Sequence, residues 1–167
     1  MTKPIDLFLT SLVYLAHDDR LLMMLRNKKS NDINEGKWVG VGGKFEPNES
    51  PLECAKREVY EETGCVLDHP KYHGLITFIY PDYPTTYMFL YSGTLTTDQV
   101  ITNDEGTMSW ISKEEVLSLN LWPGDRFFLE KLLAGETGLE MKLRYNADGA
   151  LIEAVDVSTG TSLLEDG

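Results

Sequence analysis

Cysteine is scarce: Cys54 and Cys65 are the only two in 167 residues. That is too few for a disulfide framework, and no C-x-x-C or Cys/His cluster suggests zinc. Basic residues are also in short supply, with 15 Lys and Arg against 27 Asp and Glu and a formal net charge of −12. A chain so poor in basic surface is not expected to bind a nucleic-acid polymer. It can still take a small phosphorylated ligand, because surface charge is screened beyond about 8 Å at physiological salt. No apolar run nears the roughly 18 residues of a membrane span. The opening MTKPIDLFLTSLVYLAHDD lacks a basic leader and reads as a strand rather than a signal peptide. These absences leave a globular chain with no membrane association, expected in a reducing cytoplasm, with its oligomeric state open.

No repeat, low-complexity tract or Pro/Ser-rich linker divides the sequence, and its length suits one domain with a real core. The boundaries expected are 1–157 for that domain and 158–167 for a fraying tail without a clear element. Strand-like apolar runs fall at about 7–16, 20–26, 37–42, 72–80, 86–95 and 107–111. The stretch DRFFLEKLLAG predicts a helix, with Phe128, Leu129, Leu132 and Leu133 on one face and Gly135 as its stop. LEMKLRY and ALIEAVDV alternate around NADG, the pattern of a hairpin. Strands mixed with two principal helices predict an α/β sandwich, a sheet covered on both sides.

The chemistry is concentrated in GGKFEPNESPLECAKREVYEETG. Ser50, Pro51 and Glu53 make a helix start, and Gly64 makes a stop. At about 100° per residue, Leu52, Ala55, Val59 and Thr63 share a core-facing side. Glu58, Glu61 and Glu62 fall together beside it. Like charges three and four apart repel by roughly 0.2–0.5 kcal/mol per pair. Such a cluster suits a hard divalent cation that takes oxygen ligands and keeps waters and substrate phosphates, as Mg²⁺ does. A bare E-x-x-E-E is usually only a solvated helix face, so the wider spacing has to decide.

Gly43, Glu49, Arg57-Glu58-Val59, Glu61-Glu62 and Gly64-Cys65 reproduce the spacing G-x5-E-x7-R-E-U-x-E-E-x-G-U, where U is a bulky aliphatic. This resembles the signature of the Nudix hydrolases. All seven fixed residues match, which by chance has a probability on the order of 10⁻⁵ or less. The one departure is Cys65 at the last aliphatic position, where Cys behaves as a small hydrophobe. The resemblance implies a Nudix-type α/β/α sandwich with a mixed central sheet, and an enzyme that cleaves a nucleoside diphosphate linked to another group. It implies Glu58 and Glu62 as main ligands of Mg²⁺ (with Mn²⁺ as a substitute) and Glu61 as ligand or water-orienting base. The carbonyl of Gly42 would complete the shell, while Arg57, Glu49 and Gly64 would be structural. A nucleotide-sensing module without turnover is the non-enzyme alternative. Such modules usually lose box glutamates, and here all are present.

The stretches GKWVGVGGK and WPGDRFFLEKLL extend the likeness to MutT-type 8-oxo-dGTP diphosphatases. That frame implies Arg26, Gly43 and Lys44 at the substrate phosphates and Glu105 reaching the metal from a second segment. It implies a base pocket of Val39, Phe78, Tyr80, Trp122 and Asp125. Read without the frame, aromatics at the alternate positions 78 and 80 are core residues and Asp125 is a helix N-cap. Two departures bear on base preference, because the vertebrate pattern has Asn where this chain has Val39 and a second acid where it has Gly124. The expected reaction turns a nucleoside triphosphate into monophosphate and pyrophosphate, with 8-oxo-dGTP as leading substrate. Pro81, sixteen residues after Cys65, resembles the marker proline of ADP-ribose hydrolases and supports ADP-ribose or another nucleotide sugar as the alternative.

Overall fold

The computed structural model describes residues 6–164. Residues 1–5 and 165–167, the first residues of the opening stretch and the last of the expected tail, lie outside that range. Ten strands form one mixed sheet: β1 (Leu7–His17), β2 (Arg20–Leu25), β3 (Trp38–Val39), β4 (Val41–Lys44), β5 (Asp68–Ile79), β6 (Thr85–Thr94), β7 (Thr107–Ser112), β8 (Leu139–Tyr145), β9 (Leu151–Asp156) and β10 (Thr161–Ser162). Helix α1 (Pro51–Thr63) lies between β4 and β5, and α2 (Asp125–Leu133) between β7 and β8. The main strand order is β10-β9-β8-β5-β6-β1-β2-β3, with β4 paired to β1 and β7 to β2. The β1–β6 and β5–β8 pairs are parallel and the others antiparallel.

The apolar runs Leu12–Ala16 of β1 and Leu21–Leu25 of β2 follow from cores on both faces. Successive strand side chains point to opposite sides. Tyr14, Leu21 and Met23 join Phe128, Leu129 and Leu132 of α2 in one core. Val13, Leu15 and Leu22 join Ala55 and Val59 of α1 in the other. The expected sandwich is therefore the one observed.

Helix α1 has the expected ends. Ser50 and Glu53 complete a reciprocal capping box, and Gly64 closes the helix at φ 76°, in the left-handed region. Helix α2 differs in one respect. Gly124 is its N-cap, no side chain caps it, and Asp125 is its first residue, so Asp125 does not serve as a cap. The expected strand 37–42 is two strands instead. Val39 pairs with Met24 of β2, but Val41 pairs with Val13 of β1, so the chain changes partner at Gly40. The tail is not featureless either. Thr161 and Ser162 pair with Asp156 and Val155, and Leu163 and Leu164 pack against the α2-side core. Among the described residues no helix is long and apolar enough to cross a membrane.

Candidate active site

Strand β4, the loop after it and α1 place Glu58 and Glu61 at one end of a cavity of about 540 Å³, with Glu62 buried behind them and not lining it. Arg57 organises that end. Its Nε and Nη2 donate to the two carboxylate oxygens of Glu49 at 2.6 and 2.9 Å. Nη1 donates to Glu58 at 2.7 Å and to Glu61 at 3.1 Å, and Nη2 also reaches the Lys44 carbonyl at 3.0 Å. A planar guanidinium offers five donors in a rigid fork, against the three of an ammonium, and so can grip both oxygens of one carboxylate while reaching others. The hydrogen bonds from Arg57, with one from the Glu46 amide, hold Glu49 down to about 2. The crowded charges of the helix are thus partly neutralised from within. Gly43 faces Glu58 so closely that a Cβ there would lie 2.6 Å from the carboxylate carbon, so no other residue leaves Glu58 this position against β4.

Glu62 is the exception, because Arg57 does not reach it. Its side chain is buried, with Oε2 accepting from the Gly42 amide at 3.1 Å. Its Oε1 is buried with no donor. Burial and the adjacent Glu105 carboxylate push Glu62 far above the usual range, and burial also raises Glu58. Leaving a buried oxygen unpaired beside other carboxylates costs free energy, and a hard cation would relieve it. The oxygen-only donor set fits such an ion. Among the described residues no three such side chains converge into a ready-made ligand group. The reason is visible: Glu58 and Glu61 turn toward Arg57 and Glu62 toward Gly42. Gly42 was expected to offer its carbonyl; here its amide is the engaged group.

Arg26 and Lys44 both line the cavity. Arg26 is held by Asp32 at 2.7 Å and Glu105 at 3.3 Å, which ties the segment after β2 to the loop before β7. Lys44 Nζ sits 3.7 Å from the ring centre of Phe8.

The far end of the cavity is aromatic. Phe78, Trp122, Val39 and Asp125 line it. Tyr80 is not among the lining residues. Its ring stacks on Phe78 with 6.5 Å between centres, and its hydroxyl donates to the Ala147 carbonyl at 3.0 Å, so it supports the wall from behind. Trp122 packs edge-on against Phe78 and Tyr145, with centres 5.2 and 4.9 Å apart. Its indole N–H donates to Asn34 Oδ1 at 2.7 Å. Burial pushes Asp125 up to about 7, with Lys37 and Arg126 opposing. Pro81 lies in the turn between β5 and β6 and does not line the cavity, whereas Tyr83 does. Sequence reasoning missed Asp32, Ile33 and Asn34, which also line it. Their one signal was the polar cluster SNDIN between two strand runs.

Gly124 has an ordinary φ of −72°, so its reason is space. A Cβ there would lie 2.6 Å from the Tyr145 hydroxyl and 2.7 Å from Leu143 Cδ1. The Gly124 amide donates to that hydroxyl at 2.8 Å. The space that a side chain at 124 would take is thus filled by Tyr145 and Leu143 of β8.

A sequence profile of the NUDIX domain matches residues 8–132. The chain belongs to the Nudix hydrolase family. Nudix hydrolases act on small nucleotide substrates and generally use divalent cations. The chain is 29% identical over 143 residues to the uncharacterized Nudix hydrolase YvcI of Bacillus subtilis, covering 83% of this chain and 87% of that one. It is 27% identical over 126 residues to the mouse oxidized purine nucleoside triphosphate hydrolase, covering 75% and 79%. Its fold matches the MutT protein of Bacillus halodurans with a TM-score of 0.78 at 27% identity, over 89% of this chain and 96% of that one. A MutT protein from Methanosarcina mazei matches with a TM-score of 0.69 at 27% identity, over 80% and 98%.

Proposed function

We propose that this Nudix hydrolase converts nucleoside triphosphates to monophosphate and pyrophosphate with Mg²⁺, and that oxidised purine deoxynucleotides such as 8-oxo-dGTP are its preferred class. The observation that carries the reading is that one continuous cavity is lined by Glu58, Glu61 and Glu105 and also by Phe78, Trp122 and Asp125. It suits a ligand with a polyphosphate at one end and a planar base at the other. The likeness to the mouse oxidized purine nucleoside triphosphate hydrolase supports the base class.

Glu58, Glu62 and Glu105, with the Gly42 carbonyl, would hold Mg²⁺ or Mn²⁺ in its place. When bound, the ion supplies positive charge that polarises a phosphoryl oxygen. Arg26 and Lys44, beside the Gly43 backbone, bind the phosphates. Glu61, whose side chain is 54% exposed, accepts the proton of the attacking water. The water oxygen bonds to phosphorus and the bridging P–O bond to the leaving group breaks. Arg57, Glu49 and Gly64 keep the helix and loop in register. Phe78 and Trp122 hold the base, Tyr80 backs them, and Asp125 reads a polar edge beside the apolar Val39. Both cysteines are free thiols, which suits a reducing cytoplasm.

The test is kcat/KM for 8-oxo-dGTP, dGTP and ADP-ribose. With Asp125 as the main polar reader, preference for the oxidised base over dGTP is expected at roughly 5- to 150-fold, the worth of about 1–3 kcal/mol. ADP-ribose ahead of both triphosphates would overturn the reading.

A further inference from the structure

We propose that Asn34 is a specificity-determining residue that donates its side-chain amide hydrogens to an acceptor on the bound base. This rests on the nucleotide reading above and names a second polar reader at the aromatic end of the cavity.

The orientation of Asn34 follows from its partner. An indole N–H is a donor only, so the atom 2.7 Å from Trp122 Nε1 is the Asn34 carbonyl oxygen. The amide nitrogen is thereby turned the other way, and among the described residues it has no protein acceptor. Asn34 lines the cavity together with Trp122 and Asp125. Two N–H donors are therefore offered to whatever occupies that end.

The residue is also held in place. Its own backbone N–H donates to Asp32 Oδ1 at 3.1 Å, and its carbonyl accepts from Lys37 N at 2.8 Å. Asp32 in turn accepts from Arg26 at 2.7 Å. A side chain fixed before the ligand arrives loses little rotamer freedom on binding. The Val39 side chain on β3 has no polar atom, so the side-chain donor for the base comes instead from the segment that precedes this strand. The ligand group it selects is a hydrogen-bond acceptor, a ring nitrogen or an exocyclic carbonyl oxygen of a purine.

Asn34→Asp separates this role from a structural one. It keeps an oxygen for Trp122 and exchanges the free donors for an acceptor. Binding of dGMP and of deoxyribose 5-phosphate is measured by calorimetry for the wild type, Asn34→Asp and Asn34→Ala. Both probes carry the same phosphate, so the added charge of Asn34→Asp cancels in their affinity ratio. The wild type is expected to prefer dGMP, and the ratio to fall about tenfold or more in both variants. A ratio within twofold of wild type in Asn34→Asp overturns the proposal, as does a wild type that binds both probes equally. Triphosphate hydrolysis by the wild type, assayed separately, tests the nucleotide reading. If hydrolysis is absent while the ratio still falls, that reading fails and the role of Asn34 stands.

Discussion

Replacing Glu62 by Gln tests the glutamate cluster in both senses, as chemistry and as strain. Glu62 is 5% exposed, its Oε1 has no donor, and its other oxygen takes the Gly42 amide. Glutamine has the same shape. Its oxygen can keep the Gly42 bond, and its nitrogen can donate to Glu105. Relieving an unsatisfied buried polar group gives about 1–3 kcal/mol. At roughly 3 °C per kcal/mol for a chain of this size, the metal-free variant melts about 3–9 °C above wild type. Mg²⁺ reverses the order. At a hundredfold over its Kd, a ligand bound only by the folded state adds about 2.7 kcal/mol, near 8 °C here. The wild type gains most of that and Glu62→Gln little. Turnover in the variant falls at least about a thousandfold, the scale of a several-kcal/mol metal contribution. Melting curves in EDTA and in Mg²⁺, read beside activity, decide the question. A variant that melts below wild type in EDTA, or an equal Mg²⁺ gain in both proteins, refutes the reasoning.

Asp125, pushed up to about 7 from 3.8 by burial, binds its proton more tightly folded than unfolded. Stability should therefore fall as pH rises through the interval between those values and level off above it, a loss of a few kcal/mol between about pH 5 and pH 8. Denaturant titrations should show that slope in wild type and a flatter one in Asp125→Asn. Arg57→Lys keeps the charge but cannot grip both oxygens of Glu49 while reaching Glu58. It should lose at least about tenfold in kcat/KM, and retention of full activity would dismiss Arg57 as organiser. Gly124→Asp should cost about 1–3 kcal/mol through overpacking against Tyr145 and Leu143. A cycle with Tyr145→Ala should show positive coupling between the two positions, and simple additivity would count against the steric account.

Much of this could be read from residue spacing. Helix α1 was legible because its cap, its stop and its core face all point to the same boundaries. The two-sided sandwich was legible in β1 and β2, where apolar residues run on without alternation. The change of partner at Gly40 was not, because Val39 and Val41 look like one strand until β1 and β2 are seen to diverge. Tyr80 looked equivalent to Phe78 two residues earlier, and only the position of Ala147 shows that its hydroxyl turns behind the wall. Asp32 and Asn34 lie in a segment without periodicity, so their place at the cavity depends on contacts with Arg26 and Trp122. The box was legible because its glycines, glutamates and arginine fall at fixed spacing along one loop and one helix. The aromatic end of the cavity is lined by residues scattered through the chain, and no local pattern marks them.

Tyr145 lies in β8, beyond the stretch 8–132 that matches the NUDIX domain, yet it braces Trp122 and occupies the space that a side chain at 124 would need. The aromatic wall of the cavity thus leans on a residue from beyond the segment that carries the glutamate box. A change in the C-terminal hairpin therefore reaches that wall without touching a box glutamate. An acid grafted at position 124 needs room made in β8 at both Tyr145 and Leu143, so these positions have to be engineered together.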